Sequence, residues 1–523
     1  MMDNNVREPE INVLSPNAEK AVGVKNRIIP TLRDRLFFLV TLVSCFTLFE
    51  LALGKTGMGV SVYFIGLYAL TALYLWPWKV MDGYSMLCGA LDIVVSISFS
   101  FSFQTAVTFF SVIAAEYLYL AFACGISDNC VFGNGTAAFV KDASRTFFSA
   151  PLDEMGAVFR TGKGIKDGGQ LLKNIFKCTL GIVIAVPLLC IVLPLLSAAD
   201  GAFESFLDKL FEFELGFDFS HLVFACMLCP LTCGMLFSLK HKKATAKAKP
   251  NDFAKPKGMD PMVTAGFLGV LSLCYLLYVY SQLGYFFSAF EGGIPESVKS
   301  AASYARRGFF ELCIISVINF AAIAIAIFKT RTDGAYKVCK WFSLFISLFS
   351  IMLIGTALSK MLLYIKLYGM TILRILPSVF MLLLVLAFVL LILRIFRGAF
   401  NYMRIFATAC AVTLALMNFV DISAVSANYN AEMYLNTEAA WHIDSVDIDY
   451  LRLLGDPAVP ALVRIEKEAQ SEAVRTDAAN AIERIRKSIA YSTGDGTTIT
   501  RDWRDCNVTT YKADKAFAEY FAK

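Results

Sequence analysis

Apolar runs of about 20 residues recur from Arg35 to Ile422, and they restrict the fold of this chain more than any other feature. The hydrocarbon core of a bilayer is about 30 Å thick, so a helix of about 20 residues crosses it. Inside the bilayer a helix satisfies its own backbone hydrogen bonds, which an irregular segment cannot do. The pattern therefore predicts an all-α, polytopic transmembrane helix bundle.

Composition agrees with this prediction, because 57% hydrophobic and 17% charged residues are too apolar a mixture for a water-soluble domain of 523 residues. The runs predict five regions: a basic N-terminal segment (1–34), a first transmembrane group of four spans (35–124), a loop (125–174), a second group of seven spans (175–422) and a polar tail (423–523). The eleven spans are placed at residues 35–54, 57–76, 85–103, 105–124, 175–198, 217–239, 261–290, 308–328, 338–358, 375–396 and 403–422.

The loops between the runs differ in charge, and this difference predicts orientation. Lysines and arginines crowd the N-terminal segment and residues 240–257, whereas residues 200–218 are mainly acidic. Short basic loops stay on the cytoplasmic side of a membrane. With eleven spans, we expect the N-terminus and the loop 125–174 to be cytoplasmic and the tail extracytoplasmic; one miscounted span would reverse the tail.

A formal net charge of +5 is small, and the basic residues sit beside the predicted spans. Anionic lipid headgroups explain that placement better than nucleic acid does, so we expect membrane lipids and no nucleic acid as partners. Most of the 14 cysteines lie within apolar runs and predict no disulfide framework. Cys226, Cys229 and Cys233 are spaced along one helix, but no histidine shares their face, so we expect packing and no metal or other cofactor.

Two acidic residues fall inside predicted spans, Asp92 in the third and Glu116 in the fourth. A charge inside the membrane costs several kcal/mol unless it has a partner, which makes each residue a candidate functional group. Neighbouring antiparallel helices would bring the two carboxyl groups to a similar depth, where they could share a proton. The alternative is structural: Asp92 near an interface, and Glu116 bonded to a hydroxyl group.

A second set of polar residues is predicted at the membrane face on which the polar tail (423–523) is expected. If it is helical, the segment joining the ninth and tenth spans carries cations and hydroxyl groups within about a third of its circumference, and Gly369 is expected to interrupt it. Arginine beside tyrosine suits recognition of phosphate or carboxylate, but the same residues also anchor helix ends at headgroups. The candidate ligand-binding residues are Tyr304, Arg306, Arg307, Lys360, Tyr364, Tyr368, Thr371, Arg374 and Asp421.

The polar tail is predicted to be mostly helical. Residues 459–490 carry apolar side chains at helical spacing, and the Asp456-Pro457 pair marks the turn of a helical hairpin. One such unit cannot form a solenoid, so we expect a small helical domain that docks on the membrane half or on a protein partner.

Four stretches of the chain carry a family resemblance. They are LLSAADGAF (195–203), YARRGFFEL (304–312), KMLLYIKLYGMTILR (360–374) and DIDYLRLLGDPAVPAL (447–462). Together they resemble bacterial multi-pass membrane proteins of the uncharacterised domain of unknown function 4173/4153 group. The resemblance implies a membrane half with a short exported tail in the bacterial cytoplasmic (inner) membrane. It implies no activity.

Three functional hypotheses remain open. The first is transport or handling of an anionic amphiphile or lipid at the outer leaflet. The second is a non-catalytic envelope or signalling component that binds a partner through its tail. The third, a membrane enzyme, would need Asp421 or Glu311 as its general base, and the lack of a catalytic motif favours a protein that is not an enzyme. The oligomeric state is left open.

Overall fold

The computed structural model describes residues 28–130, 133–136, 138–156, 185, 192, 219–241, 258–290, 309–332, 334–397, 400–439, 441–493 and 499–522. Within these ranges the regular structure is helical, and the extended backbone is limited to one isolated bridge between Met259 and Thr330. The all-α prediction is therefore confirmed for the described residues.

The first half of the bundle begins at a capped helix. The Thr31 side chain accepts a hydrogen bond from the Asp34 amide, and the Asp34 carboxylate accepts one from the Thr31 amide, so two free amide groups of the first turn are satisfied. The helices of this half are α1 (Leu32–Leu51), α2 (Met58–Tyr74), α3 (Gly83–Ser98), α4 (Thr105–Ile126), α5 (Phe139–Ser144), α6 (Ala150–Glu154) and α7 (Phe219–Lys240), with a π-helical turn (Arg145–Ser149) between α5 and α6.

The second half contains the longest helices. They are α8 (Pro261–Phe290), α9 (Phe309–Lys329), α10 (Tyr336–Tyr368), α11 (Ile372–Arg397) and α12 (Tyr402–Val420). Gly369 ends α10 with a φ of +76°, a conformation that favours glycine, so the predicted interruption at this residue is confirmed.

The tail is a small helical domain. Its helices are α13 (Ile422–Leu435), α14 (Ile448–Leu454), α15 (Val459–Glu468), α16 (Glu472–Thr493) and α17 (Val508–Phe521), with a 3₁₀ turn (Asp456–Ala458) before α15. The predicted hairpin turn is present at Gly455 and Asp456. The helical pattern over 459–490 is divided in two, because the chain becomes extended at Ala469, whose ψ is 137°.

Six helices are long and apolar enough to cross a membrane, namely α4, the part of α8 up to Tyr280, α9 from Glu311, α10, α11 and α12. Helices α2 and α3 and the part of α7 from Phe224 are also apolar, but they are shorter. Helix α1 also coincides with a predicted span, and the predicted span 175–198 falls almost entirely outside the described residues. Large apolar side chains are exposed on these helices, for example Val270 (67%), Trp341 (70%) and Leu373 (82%), as expected of a surface that faces lipid.

Contacts between helix ends show which ends lie together. At one end, the start of α1 meets the end of α7, because Lys240 Nζ lies 2.5 Å from Asp34 Oδ1. At the other end, His221 near the start of α7 lies 3.0 Å from Glu50 near the end of α1. The tail packs at this second end, which we call the tail-side end. Arg33 and Lys240, two of the basic residues predicted to be cytoplasmic, lie at the opposite end.

Candidate functional site at the junction of tail and bundle

Residues 502–509, which we call the docking segment, attach the tail to the first turns of the bundle. The amides of Met58 and Gly59 donate to the carbonyls of Cys506 (2.9 Å) and Arg504 (3.1 Å). Arg504 also donates through Nη1 to the Glu50 carboxylate at 2.8 Å. The α1–α2 turn is thus paired, backbone to backbone, with a segment about 450 residues further along the chain.

The same segment joins two further turns. The amides of Val508 and Thr509 donate to the carbonyls of Ser100 (3.0 Å) and Phe101 (3.1 Å) in the α3–α4 turn. The Thr509 hydroxyl also donates to the Asp421 carboxylate at the junction of α12 and α13. One short segment therefore ties together three separate turns of the tail-side end.

A cavity of about 470 Å³ opens beside the docking segment. Its bundle side is formed by Thr56 and Phe103, from the α1–α2 and α3–α4 turns. Its tail side is formed by residues 452–457 and by the face of α16 that carries residues 484–489. Since Thr56 and Phe103 lie at the ends of apolar helices, the cavity lies at the level where a membrane surface would meet the protein.

Two guanidinium groups line this cavity. Arg452 makes a 3.3 Å contact with Asp449, which is itself largely exposed. Arg484 has no ion pair or hydrogen bond within the described part of the chain. Apolar surface lies beside them, including the 75% exposed side chain of Leu453. The cavity therefore combines a free cation with an apolar wall.

A partly buried ion-pair network supports the cavity from the tail. Arg501 holds Asp456 through Nη2 at 2.7 Å and Nη1 at 3.1 Å, and it contacts Asp514 through Nε at 3.0 Å. Burial raises the pKa of the Asp456 carboxyl, although its hydrogen bonds with Arg501 act in the opposite direction. This network holds the 3₁₀ turn (Asp456–Ala458) that follows α14, the helix that contains Arg452 and Leu453.

Part of the predicted polar set meets at the turn between α10 and α11. The Arg374 guanidinium lies 4.0 Å from the ring centre of Tyr364, and it donates to the carbonyls of Tyr368 (2.8 Å) and Gly369. These contacts satisfy carbonyl groups at the end of α10, as C-terminal caps do. Lys360 lies half-buried on the same helix.

The turn itself is held by the tail. The Asn430 amide accepts from the Met370 amide (2.6 Å) and donates to the Met370 carbonyl (2.8 Å). The Tyr450 hydroxyl accepts from the Ile372 amide at 3.1 Å. The carbonyl of Thr371 accepts from the amides of Arg374 and Ile375, which begins α11.

Of the remaining predicted residues, only Asp421 is among those that the structure describes, and its bonds are made elsewhere. Asp421 is buried, adopts a φ of +54° and caps α13 through the Ala424 amide, in addition to its bond with Thr509. Tyr304, Arg306 and Arg307 lie outside the described residues. Ligand binding by the nine-residue set stays a prediction.

Asp92 lies near the middle of α3, and Glu116 lies near the middle of α4, which packs on α3. Asp92 is 3% exposed and interacts electrostatically with Glu116, which is half-buried. A proton shared between them stays a prediction. Cys226, Cys229 and Cys233 pack with Phe38 and Cys45 of α1.

Sequence reasoning missed Arg484, Arg504 and Thr509. Arg484 lies in an amphipathic helix, where an exposed arginine is ordinary, so its sequence position carries no signal. The stretch Asp502-Trp-Arg-Asp-Cys-Asn507 follows a polar linker and ends at Asn507, which caps α17. An asparagine at this position predicts the start of a helix. The sequence does not predict which turns of the bundle the segment contacts.

These features define a class: a helical membrane protein with a small helical tail packed on one end of its bundle. The profile of the family described as domain of unknown function (DUF4153) matches residues 89–465, and the chain belongs to that family. The predicted resemblance is thereby confirmed, and the match begins well before residue 195. No curated protein and no solved structure matches the chain.

Proposed function

We propose that this protein binds an anionic amphiphile, such as a phospholipid of the tail-side leaflet, in the cavity between tail and bundle. The observation that carries the proposal is the unpaired Arg484 guanidinium beside apolar surface in a cavity of about 470 Å³. Arginine binds phosphate and carboxylate through paired hydrogen bonds, and Arg452, which lines the same cavity, would offer a second set of donors.

The position of the cavity favours a lipid over a freely dissolved anion. Phe103 lies two residues before the start of α4, an apolar helix, so acyl chains would meet apolar surface as soon as they leave the cavity. Arg374 and Asp421 of the predicted set are already engaged by groups of the protein itself. The free guanidinium of Arg484 is therefore the better anchor for a headgroup.

The test compares wild type with Arg484→Ala in nanodiscs containing phosphatidylglycerol, phosphatidylcholine or both, with native mass spectrometry as the readout. We expect wild type to retain phosphatidylglycerol and the variant to retain about tenfold less, since a charge-assisted hydrogen bond contributes about 1.5–3 kcal/mol. Arg475→Ala is the matched control, because Arg475 lies exposed on the same helix and outside the cavity lining.

Equal retention of both lipids by wild type, or equal loss in both variants, would refute lipid binding in the cavity. Displacement of phosphatidylglycerol by millimolar inorganic phosphate would point instead to a site for a soluble anion.

A second candidate function is partner binding by a non-catalytic envelope or signalling component. It is supported by the exposed aromatic side chains of the tail, Trp503 (53%) and Tyr511 (71%). Aromatic residues are enriched at interfaces, where they supply large rigid contact areas. A Tyr511→Ser variant that loses a crosslinked partner and keeps its phosphatidylglycerol would support this function; an unchanged crosslinking pattern would count against it.

The proposal includes a topology. Ten of the eleven predicted spans coincide with described helices, and Arg33 and Lys240 lie at the end opposite the tail. We infer eleven crossings of the bacterial inner membrane, with the N-terminus cytoplasmic and the tail outside. Alkaline phosphatase, which is active only outside the cytoplasm, should be active when it is fused after residue 522. If that fusion is inactive and a reporter that works only in the cytoplasm is active at the same position, the orientation is the reverse.

A further inference from the structure

Helix α3 carries a carboxyl group that the lipid-binding cavity does not use. Asp92 is 3% exposed, and its Oδ1 has no hydrogen-bond partner in the described part of the chain. An isolated carboxylate in an apolar medium is strongly unfavourable, and such a group either pairs with a cation or takes up a proton.

The groups around Asp92 do not include a cation in direct contact. Helices α2, α4 and α12 all pack on α3, and the basic residue of α12, Arg404, lies near the start of that helix, where it stacks on Tyr84 at 4.7 Å and holds the Asn134 carbonyl. The titratable groups that interact with Asp92 are Glu116 and Tyr119 of α4, Tyr68 of α2 and Cys88 of α3.

Two carboxyl groups without a nearby cation cannot both hold a negative charge at low cost. Like charges that interact in a medium of low dielectric constant repel strongly, so one of the two groups retains its proton. The pair is then a place where one proton can be bound and released, with the second carboxyl as its acceptor.

Polar side chains continue from this pair toward the tail-side end. Ser96 lies one turn beyond Asp92 on the same face of α3, is 1% exposed, and its hydroxyl is also without a partner in the described residues. Next comes Asn418 of α12, whose amide donates to Ser98 (3.0 Å) and Ser111 (3.1 Å) while its Oδ1 remains free. Asp92 and Ser98 are about 9 Å apart along the helix axis.

This row reaches the tail. Ser102 donates to the Asn418 carbonyl at 2.7 Å, and Asp421, three residues after Asn418, holds Thr509 of the docking segment. Buried polar atoms without partners are where a protein interior admits water. Asp92, Ser96, Asn418 and Ser102, which we call the polar seam, therefore lie at successive levels between the carboxyl pair and the tail-side end.

We propose that Asp92 and Glu116 share one exchangeable proton, which enters and leaves by way of the polar seam from the tail-side end. The inference is independent of the lipid cavity. It assigns a proton-binding site at the level of the bundle centre, and it gives the polar seam, otherwise costly to bury, a function.

The experiment is infrared difference spectroscopy on the full-length protein in nanodiscs, between acidic and alkaline pH. Wild type should show the carbonyl stretch of a protonated carboxylic acid, which shifts when H₂O is replaced by D₂O. Asp92→Asn and Glu116→Gln should each remove that band or move it. Asp34→Asn is the matched control: Asp34 is also buried, but it is paired with Lys240, so this variant should keep the wild-type band.

Access is tested with Asn418→Leu, which should keep the band and slow its shift in D₂O at least severalfold. A matched change at Ser44→Ala, on α1 and outside the polar seam, should leave the exchange rate as in wild type. A wild-type protein with no such band at any pH, a band that survives both Asp92→Asn and Glu116→Gln, or a band abolished by added Na⁺ would overturn the proposal. The last result would identify a cation site. Exchange that is equally fast in Asn418→Leu would overturn the route.

Discussion

Individual residues of the predicted polar set make hydrogen bonds to the backbone that cannot be predicted from the sequence. Helical spacing predicted that Lys360 and Tyr364 share a face of one helix, whereas Arg374 lies on α11 and reaches Tyr364 across the turn at Gly369. The hydrogen bonds of Arg374 to two carbonyls depend on how the chain turns at Gly369, and spacing alone cannot supply that geometry. The same limit applies to Asp421, whose partner Thr509 lies 88 residues away.

Arg374→Ala should destabilise the turn between α10 and α11. The variant loses the caps on the Tyr368 and Gly369 carbonyls and the contact with Tyr364, so we expect a loss of about 1–2 kcal/mol in the free energy of unfolding. Thermal unfolding in detergent measures it. Lys366→Ala, an exposed change on α10, serves as the control, and equal melting temperatures for the two variants would contradict the capping role.

At the scale of elements, apolar periodicity located the helices well. Ten predicted spans coincide with described helices because burial in lipid imposes a length that a sequence displays directly. The docking of residues 502–509 was not predictable. Its main bonds join backbone groups, such as the Met58 amide and the Cys506 carbonyl, and backbone groups are the same in every residue.

Gly57→Ala should release the docking segment from the α1–α2 turn. A Cβ at Gly57 would lie 2.3 Å from the Cys506 carbonyl oxygen, so the segment has to move, at a cost of about 1–3 kcal/mol. Hydrogen–deuterium exchange of residues 502–509 should become faster.

The control for Gly57→Ala is Gly66→Ala in the middle of α2. No atom lies within 4 Å of a Cβ built at Gly66, and alanine favours a helix by about 1 kcal/mol over glycine. Exchange of residues 502–509 should then be unchanged. Equal exchange in the two variants would show that the close approach at Gly57 is not what holds the tail.

On the scale of the whole molecule, the tail and the bundle form one unit through ion pairs as well as backbone bonds. Lys55 lies 3.5 Å from Asp502 and 3.4 Å from Asp505, and Arg504 links Asp502 to Glu50. Helix α12 ends at Val420 and α13 begins at Ile422, with Asp421 between them at a φ of +54°. Sequence predicted a separate helical tail and left open what it docks on.

Acid should loosen this junction. Hydrogen bonds from Arg504 lower the pKa of Asp502 from 3.8 to about 2. A carboxyl whose pKa is lower in the folded state stabilises that state above its ordinary pKa and loses the effect as protons bind. Docking should therefore weaken as the pH falls from about 4 to about 2, which limited proteolysis with pepsin at residues 499–509 can follow.

The matched control for the acid effect is Asp502→Asn, which cannot titrate. Its cleavage at higher pH should already exceed that of wild type, and it should change less between the two pH values. If the variant shows the same pH profile of cleavage as wild type, protonation of Asp502 is not the cause of the weaker docking.

The position of the docking segment also has a consequence for synthesis. Thr56 meets Asn507 only after 451 further residues have been added, and at about 5–20 residues per second this takes about 20–90 s. Throughout that interval the amides of Met58 and Gly59 lack the carbonyl partners that they have in the folded protein. A chain that ends before residue 504 never supplies these partners, so its α1–α2 turn stays open.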